Sequence, residues 1–211
     1  MSTNPSKQAL LHDVPRTFDT DTLQFDGLRG DRAAHLSPAA LESALNALPP
    51  APADEGTLDL LVARTPEFAR LTPDRVTLTA DGGMPGDRFA FQTKYGPEAQ
   101  LATMQTAFAR VVANGQPLTL HGDNVFVSLD LSSQNLPVGS RVRVGDALLE
   151  VTPKAHNGCK KWAQRFGLAP MRLNLAPHFR ERHLRGIYLR VVEDGECGVG
   201  DRVRVVSRAV P

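Results

Sequence analysis

The chain has 211 residues, of which 41% are hydrophobic and 22% are charged, and its formal net charge is +1. This size suits one domain plus a small extension, and the composition argues against general disorder. No apolar run approaches the roughly 18 residues of a membrane helix, residues 1–13 show no secretory signal, and two cysteines do not make a disulfide framework. The sequence therefore predicts a cytoplasmic protein with reduced thiols and excludes a membrane protein.

The N-terminal segment is predicted to be separate from the main domain. Residues 1–31 are polar and show no sustained period, which predicts an irregular arm. A short amphipathic helix should follow, because Ser37 precedes a proline and leucines then recur at spacings of four and three. The proline-rich run 49–52 ends this helix and forms a stiff linker. We therefore divide the chain into an N-terminal segment, 1–56, and a main domain, 57–207.

The main domain is rich in strand signals, which are short apolar or alternating runs between glycine, proline and aspartate. They cover 57–64, 75–80, 117–121, 124–129, 141–144, 147–151, 186–192 and 202–206. Gly145-Asp146 predicts a tight hairpin, and apolar residues at helical spacing predict one long helix over 97–113. The fold class is mainly β with some α, and a barrel is favoured.

The charges are distributed unevenly along the chain. Residues 13–59 carry nine acids against three arginines, whereas 153–192 carry nine bases and one acid, Glu181. The basic stretch is either a solvated face or a clamp for phosphate or pyrophosphate, and the sequence leaves both open. Nucleic acid is a poor partner, because aromatic residues for base stacking make up only 6%.

Cys159 is the candidate reactive residue. It follows a strand pattern and a flexible asparagine-glycine turn, so we expect it to be accessible. His156, Lys160 and Lys161 are close in sequence, and positive charge favours the thiolate that attacks sulfur or binds a soft metal. A purely structural cysteine is the alternative.

Other motifs carry less chemistry. Cys197 lies between acids and a turn, so we interpret it as structural. A zinc site needs three or four ligands, and His156 with Cys159 supplies only two. The glycine-rich segment 82–88 places Arg88 directly after a turn where a ligand could approach the backbone.

In four ordered blocks, over about 57–207, the chain resembles the MOSC domain, the module named for the C-terminal part of molybdenum cofactor sulfurases. The blocks are 82–88 with its glycine-aspartate-arginine, 122–127, 138–152 with the following Cys159 segment, and 185–188 with the glycines up to 200. The resemblance implies a MOSC-type β-barrel with a few flanking helices, preceded here by the arm and short helix.

The resemblance also places the family cysteine on Cys159, which in related proteins is proposed to carry sulfur as a persulfide or to ligate molybdenum. It thus implies the molybdenum cofactor, molybdopterin, as the ligand. Its phosphate is expected to meet residues assigned mostly by charge: Arg88, Asn124, His156, Lys160, Lys161, Arg165 and Arg185.

Departures from the family limit the cofactors and activities that can be expected of this chain. The chain has no room for the pyridoxal-phosphate domain of cofactor sulfurases, and two cysteines cannot hold an iron-sulfur cluster, so neither cofactor is expected. Phe89 stands where the family often has histidine, which argues against simply copying a hydroxylamine-reducing activity.

Two hypotheses about the function remain. In the first, Cys159 ligates molybdenum in an oxidoreductase that reduces N-hydroxylated or similar small substrates, with electrons from a separate partner. In the second, the protein is not a catalyst: Cys159 takes sulfur from a cysteine desulfurase and carries it as a persulfide, or the protein delivers the cofactor through Cys159.

Overall fold

The computed structural model describes residues 25–91 and 96–210, so the first 24 residues of the predicted arm lie outside the described part. The strands span Glu55–Leu61 (β1), Ala63–Arg64 (β2), Arg70–Leu71 (β3), Arg75–Leu78 (β4), Leu101–Gln105 (β5), Val125–Val127 (β6), Arg141–Val144 (β7), Ala147–Val151 (β8), Ile187–Glu193 (β9), Gly195–Gly198 (β10) and Arg202–Ser207 (β11). The α-helices span Pro38–Asn46 (α1), Thr106–Ala113 (α2), Lys160–Phe166 (α3), Leu168–Leu175 (α4) and Pro177–Glu181 (α5).

Seven strands close into a barrel in the order β1, β11, β7, β8, β9, β5, β6, and β6 pairs back onto β1. β5 and β6 are parallel, whereas the other neighbouring pairs are antiparallel. Two small ribbons, β4 with β10 and β2 with β3, flank the barrel. The predicted barrel with flanking helices is confirmed, although helix and strand contribute about equally.

The hairpin predicted at Gly145-Asp146 is confirmed, since these two residues connect β7 to β8. Gly145 has φ +56°, a left-handed conformation that glycine adopts without steric cost. The hairpin therefore follows directly from local sequence.

Two apolar clusters stabilise the fold. The first fills the barrel with alternate strand residues such as Leu58, Leu149 and Val203. The second lies between the outer wall of the barrel and helices α1, α2 and α3, and it includes Leu41 and Trp162. The N-terminal helix α1 is thus packed onto the main domain.

The N-terminus of α1 is capped as predicted. The Ser37 hydroxyl accepts a hydrogen bond from the Ala40 N–H at 3.2 Å, and Pro38 occupies the first helical turn. Leu41 and Leu45 on its apolar face are fully buried.

The long helix predicted over 97–113 is wrong in its first half. Pro97–Ala99 form a 3₁₀ turn, residues 101–105 form β5, and only Thr106–Ala113 are α-helical. Every residue of β5 is buried, because one face meets the barrel interior and the other meets the helices. A strand that is buried on both faces shows no alternation of apolar and polar residues. The apolar residues of β5 therefore matched the spacing expected of a helix.

The strand predicted over 117–121 is also wrong, since Leu118–His121 form a 3₁₀ turn that ends at Gly122 with φ +79°. Helices α3, α4 and α5 were not assigned from the sequence, and α4 in particular has little amphipathic character. Within the described residues, none of the helices has the length and apolarity needed to cross a bilayer.

Candidate functional site

A cleft of about 310 Å³ opens beside the barrel, where the segments after β2 and β8 meet the start of β9 and helix α3. Six cationic side chains line it: Arg64, Arg70, Arg88, Lys161, Arg165 and Arg185. Asp26 is the one carboxylic acid among the described residues that line it. We call it the cationic cleft, and its charge favours an anionic ligand.

Cys159 lies at the mouth of the cationic cleft and is exposed. It directly precedes α3, and its carbonyl oxygen accepts a hydrogen bond from the Ala163 N–H at 3.0 Å. A Cβ atom on the preceding Gly158 would lie 2.8 Å from the Trp162 ring, so glycine lets the loop pack closely here. The fold thus fixes the backbone of Cys159 and leaves its sulfur reachable.

Cys197 is in a different environment. It lies on β10, is fully buried in the barrel core and does not line the cleft. Burial raises the pKa of its thiol to about 12. Cys197 is therefore an inert thiol with a structural role, as interpreted from the sequence.

Behind the cleft, Arg185 and Asp123 form a buried ion pair. Arg185 Nη1 donates to both Asp123 oxygens at 2.7 and 2.6 Å, and Nη2 donates to the His121 carbonyl at 3.2 Å. Burial raises the pKa of Asp123, while the charge and hydrogen bonds of Arg185 act in the opposite direction and favour the carboxylate. The guanidinium also lies 5.1 Å from the centre of the Trp162 ring.

His121 lines the cleft but has a structural role. Its Nε2 is 2.9 Å from the Ala109 carbonyl and its Nδ1 is 3.2 Å from the Trp162 Nε1, so the neutral ring donates through Nε2 and accepts through Nδ1. Burial, assisted by the charge of Arg185, lowers its pKa to about 3. One ring nitrogen bonds to α2 and the other to α3, so His121 joins these two helices.

His156 has different contacts, although its side chain is also buried. Nε2 lies 3.6 Å from Asp123 Oδ1, and the ring packs at 4.3 Å on Tyr188. Burial and the charge of Arg185 lower its pKa well below the usual value. Among the described residues, Nδ1 has no hydrogen-bond partner.

A second buried network holds the glycine-rich segment against the barrel. Asp87 accepts hydrogen bonds from Arg64 Nε and Nη2, both at 2.8 Å, and from the Asn124 amide at 2.8 Å. Burial alone would raise the pKa of Asp87, but the bonds and charge of Arg64 hold it below its usual value. Asn124 also bridges Val62 and Ala102, so its role is to join strands.

Arg70 and Arg165 carry charge that no carboxylate among the described residues pairs with. Arg165 donates to the carbonyl oxygens of Leu28 and Leu120 at 2.9 and 2.8 Å. Burial lowers the pKa of Arg70 to about 10, and the charges of Arg165 and Arg88 act in the same direction. Within the described part of the chain, no carboxylate pairs with Arg70 or Arg165. A bound anion would relieve this repulsion.

Most of the site residues predicted from the sequence come together in the cleft. Six line it: Cys159, Arg88, His156, Lys161, Arg165 and Arg185. Lys160 is exposed and does not line the cleft, and Asn124 is buried behind it. The basic stretch is thus divided, because Arg190, for example, pairs with Glu150 on the barrel surface.

Sequence reasoning missed several residues of the site. Arg64 and Arg70 were assigned no role, although Arg64 is the last residue of the strand signal 57–64 and both line the cleft. Asp123 lies in the block 122–127 and was assigned no role, and its ion pair with Arg185 is visible only in the structure. Tyr188 was included in a family block without a role. Among residues 25–91 and 96–210, no three His, Cys, Asp or Glu side chains cluster as a metal site.

The comparison with protein families agrees with this geometry. The family model described as "MOSC domain" matches residues 92–204, which is more than half of the chain, and the protein belongs to the MOSC domain family. This family is associated with molybdenum-cofactor-binding proteins. No curated protein matches the sequence.

A solved structure supports the fold, and a second shows a weaker likeness that carries no argument. The YuaD protein from Bacillus subtilis is 23% identical with a TM-score of 0.55, and the match covers 74% of this chain and 97% of that one. YiiM from Escherichia coli is 19% identical with a TM-score of 0.49, covering 74% of this chain and 72% of that one. At these identities the likeness concerns the fold alone.

The cationic cleft fits the cofactor that the family implies. A soft sulfur ligand, Cys159, lies at its mouth, and two guanidinium groups without a carboxylate partner among the described residues, those of Arg70 and Arg165, also line it. Sulfur suits molybdenum, and guanidinium groups suit a phosphate. The donor set is therefore compatible with both ends of a phosphate-bearing pterin that carries a metal.

Proposed function

We propose that this protein binds the molybdenum cofactor in the cationic cleft, with Cys159 as a ligand of the metal, and reduces N-hydroxylated or similar small substrates. The observation that carries this proposal is the position of an exposed thiol at the mouth of a cleft lined by six cationic side chains. A free thiol in this role also suits the cytoplasmic location predicted from the sequence.

In this proposal the cations hold the phosphate of the pterin. Arg70 and Arg165 are the main candidates, since no described carboxylate neutralises them and each is already oriented by backbone carbonyls. Arg88 and Lys161 add charge at the same cleft. Charge-assisted bonds from several planar guanidinium groups would fix the orientation of the anion.

Cys159 supplies the soft ligand, and the hydrogen bond from the Ala163 N–H to its carbonyl oxygen fixes the main chain from which the sulfur extends. When bound, the molybdenum supplies two-electron chemistry, and the overall reaction converts R–NH–OH, two protons and two electrons into R–NH₂ and water. The electrons come from a separate partner protein in this proposal.

The test is to express the protein in cells that make the cofactor and to measure molybdenum and pterin fluorescence after purification. We expect both in the wild type, strongly reduced molybdenum in Cys159→Ser, and reduced pterin in Arg70→Gln. Cys197→Ala is the matched control, because it removes a cysteine that does not line the cleft. Equal molybdenum in the wild type and Cys159→Ser would remove the ligand role.

A second candidate is a persulfide carrier, favoured by the exposure of Cys159. A buried ligand could not reach the active site of a partner enzyme, whereas an exposed thiol at a cleft mouth can. The Cys159 thiolate would attack the terminal sulfur of an R–S–SH persulfide on a cysteine desulfurase, giving Cys159–S–SH and the R–S⁻ thiolate.

Intact mass spectrometry separates the two candidates. After incubation with a cysteine desulfurase and cysteine, the carrier gains the mass of one sulfur that is lost on reduction, and Cys159→Ser gains none. The absence of this mass increase in the wild type would count against sulfur carriage and leave the cofactor proposal intact.

A further inference from the structure

Two polar atoms at the buried end of the cationic cleft have no partner among the described residues. They are the Nε of Arg185 and the Nδ1 of His156. Both side chains line the cleft and are at least nine-tenths buried, with exposed fractions of 6% and 4%. Buried polar groups in folded proteins normally have partners, so such a pair points to a ligand. We call this end of the cleft the buried subsite.

The protein itself fixes the orientation of Arg185. Its Nη1 is bonded to Asp123 and its Nη2 to the His121 carbonyl, while the Trp162 ring lies 5.1 Å from the guanidinium. Nε is the one guanidinium nitrogen without an acceptor in the described chain. Arg185 therefore presents one fixed donor.

His156, in contrast, presents a hydrogen-bond acceptor. Its Nε2 lies 3.6 Å from the Asp123 carboxylate, which favours a proton on Nε2. With burial also favouring the neutral ring, Nδ1 is left as an unprotonated acceptor. Because Asp123 contacts both Arg185 and His156, the two side chains that carry the donor and the acceptor are neighbours.

This combination selects against a fully charged phosphate. A dianion would accept from Arg185, but its oxygens would face the lone pair of His156 Nδ1. A group that has both an acceptor atom and a hydrogen would satisfy both side chains at once. The arginines nearer the mouth, by contrast, present only donors.

We propose that the buried subsite binds an uncharged hydroxylamine-type group, with Arg185 Nε–H donating to its oxygen or nitrogen and His156 Nδ1 accepting from its O–H or N–H. This deepens the proposed function, on which it rests for the choice of substrate class. In this proposal Arg185 and His156 bind the substrate, whereas Arg70, Arg165 and their neighbours bind the phosphate of the cofactor.

The test uses full-length protein purified without cofactor and labelled with ¹⁵N-histidine. Long-range ¹H–¹⁵N spectra distinguish protonated from unprotonated ring nitrogens, so they report the His156 tautomer directly. Acetohydroxamic acid is the probe, O-methyl acetohydroxamate lacks its terminal O–H, and inorganic phosphate is the anion control.

We expect an unprotonated His156 Nδ1 whose resonance shifts with acetohydroxamic acid, and shifts much less with the O-methyl compound or phosphate. Binding should weaken by about tenfold or more in His156→Phe and in Arg185→Lys, which keeps the charge but loses the Nε–H. It should be largely retained in His156→Asn, whose amide carbonyl can replace the Nδ1 acceptor.

Cys159→Ser should bind the probe like the wild type, since no metal is needed. Wild-type protein that binds the probe but purifies without molybdenum from cells that make the cofactor would thus overturn the cofactor proposal alone. A proton on His156 Nδ1, a phosphate-induced shift as large as that of the hydroxamate, or no shift with the probe would overturn the buried subsite. Melting temperatures of the variants identify any that fail to fold. If His156→Phe or Arg185→Lys fails to fold, probe binding by His156→Asn decides the test.

Discussion

Asp123 and Arg185 form an ion pair at the buried end of the cationic cleft, with Arg185 Nη1 2.6 and 2.7 Å from the two carboxylate oxygens. Asp123 follows a 3₁₀ turn and Arg185 precedes β9, so the pair joins two segments that are distant in sequence. The pair both supports the fold and orients the side chains that face the ligand.

Removing one partner should leave an uncompensated buried charge. Asp123→Ala is expected to lower the free energy of unfolding by about 3–5 kcal/mol. Glu193→Ala, which removes an exposed pair with Arg143, should cost less than about 1 kcal/mol. Urea denaturation of both variants measures this, and similar losses in the two would contradict the structural role of the buried pair.

Gly186 is expected to tolerate no side chain. It has φ +87°, and a Cβ there would collide with the carbonyl oxygen of Thr103 on β5. Gly200 has φ +91° but open space around it, so Gly200→Ala should cost only backbone strain of about 1–2 kcal/mol. Thermal unfolding should show a larger loss for Gly186→Ala, and equal losses would contradict the close approach.

Acid should destabilise the protein partly through His121. Its pKa falls from 6.5 in the unfolded chain to about 3 in the folded protein. The unfolded state therefore binds a proton first, and stability is lost as the pH falls from about 6.5 to about 3. In His121→Phe, which keeps a ring against Phe166, the free energy of unfolding should fall less steeply with decreasing pH, by up to about 1.4 kcal/mol per pH unit. Urea denaturation across this pH range checks the slope, and identical slopes would contradict it.

The two cysteines should differ in reactivity. Cys159 is exposed and should react with iodoacetamide in the native protein, whereas Cys197 is buried and should react only after unfolding. Peptide mass spectrometry locates the label, and Cys159→Ser should remain unlabelled until denaturant is added. Rapid native labelling of Cys197 would contradict the assignment of roles.

Part of the fold was predictable because short segments of the sequence specify individual turns and helix ends. Gly145-Asp146 specifies a hairpin, and Ser37-Pro38 specifies the start of α1, without any distant contact. The first half of the helix predicted over 97–113 failed because β5 is buried on both faces, and its environment comes entirely from tertiary packing.

The site was predictable mainly where charge was concentrated in sequence, and at Arg88, which ends the glycine-rich segment 82–88. Cys159 with Lys161 and Arg165 lies in one basic stretch, which is visible without a structure. Arg64 and Arg70 come from the opposite side of the cleft, about 90 residues earlier, and only the fold brings them near Cys159. The tautomer of His156 depends on Asp123, a contact that no local pattern reveals.

The central claim is that the Cys159 sulfur binds molybdenum in the cationic cleft. The most direct measurement is X-ray absorption at the molybdenum edge on protein purified from cells that make the cofactor. The account predicts one more sulfur neighbour of the metal in the wild type and in Cys197→Ala than in Cys159→Ser. The same number of sulfur neighbours in all three proteins would contradict it.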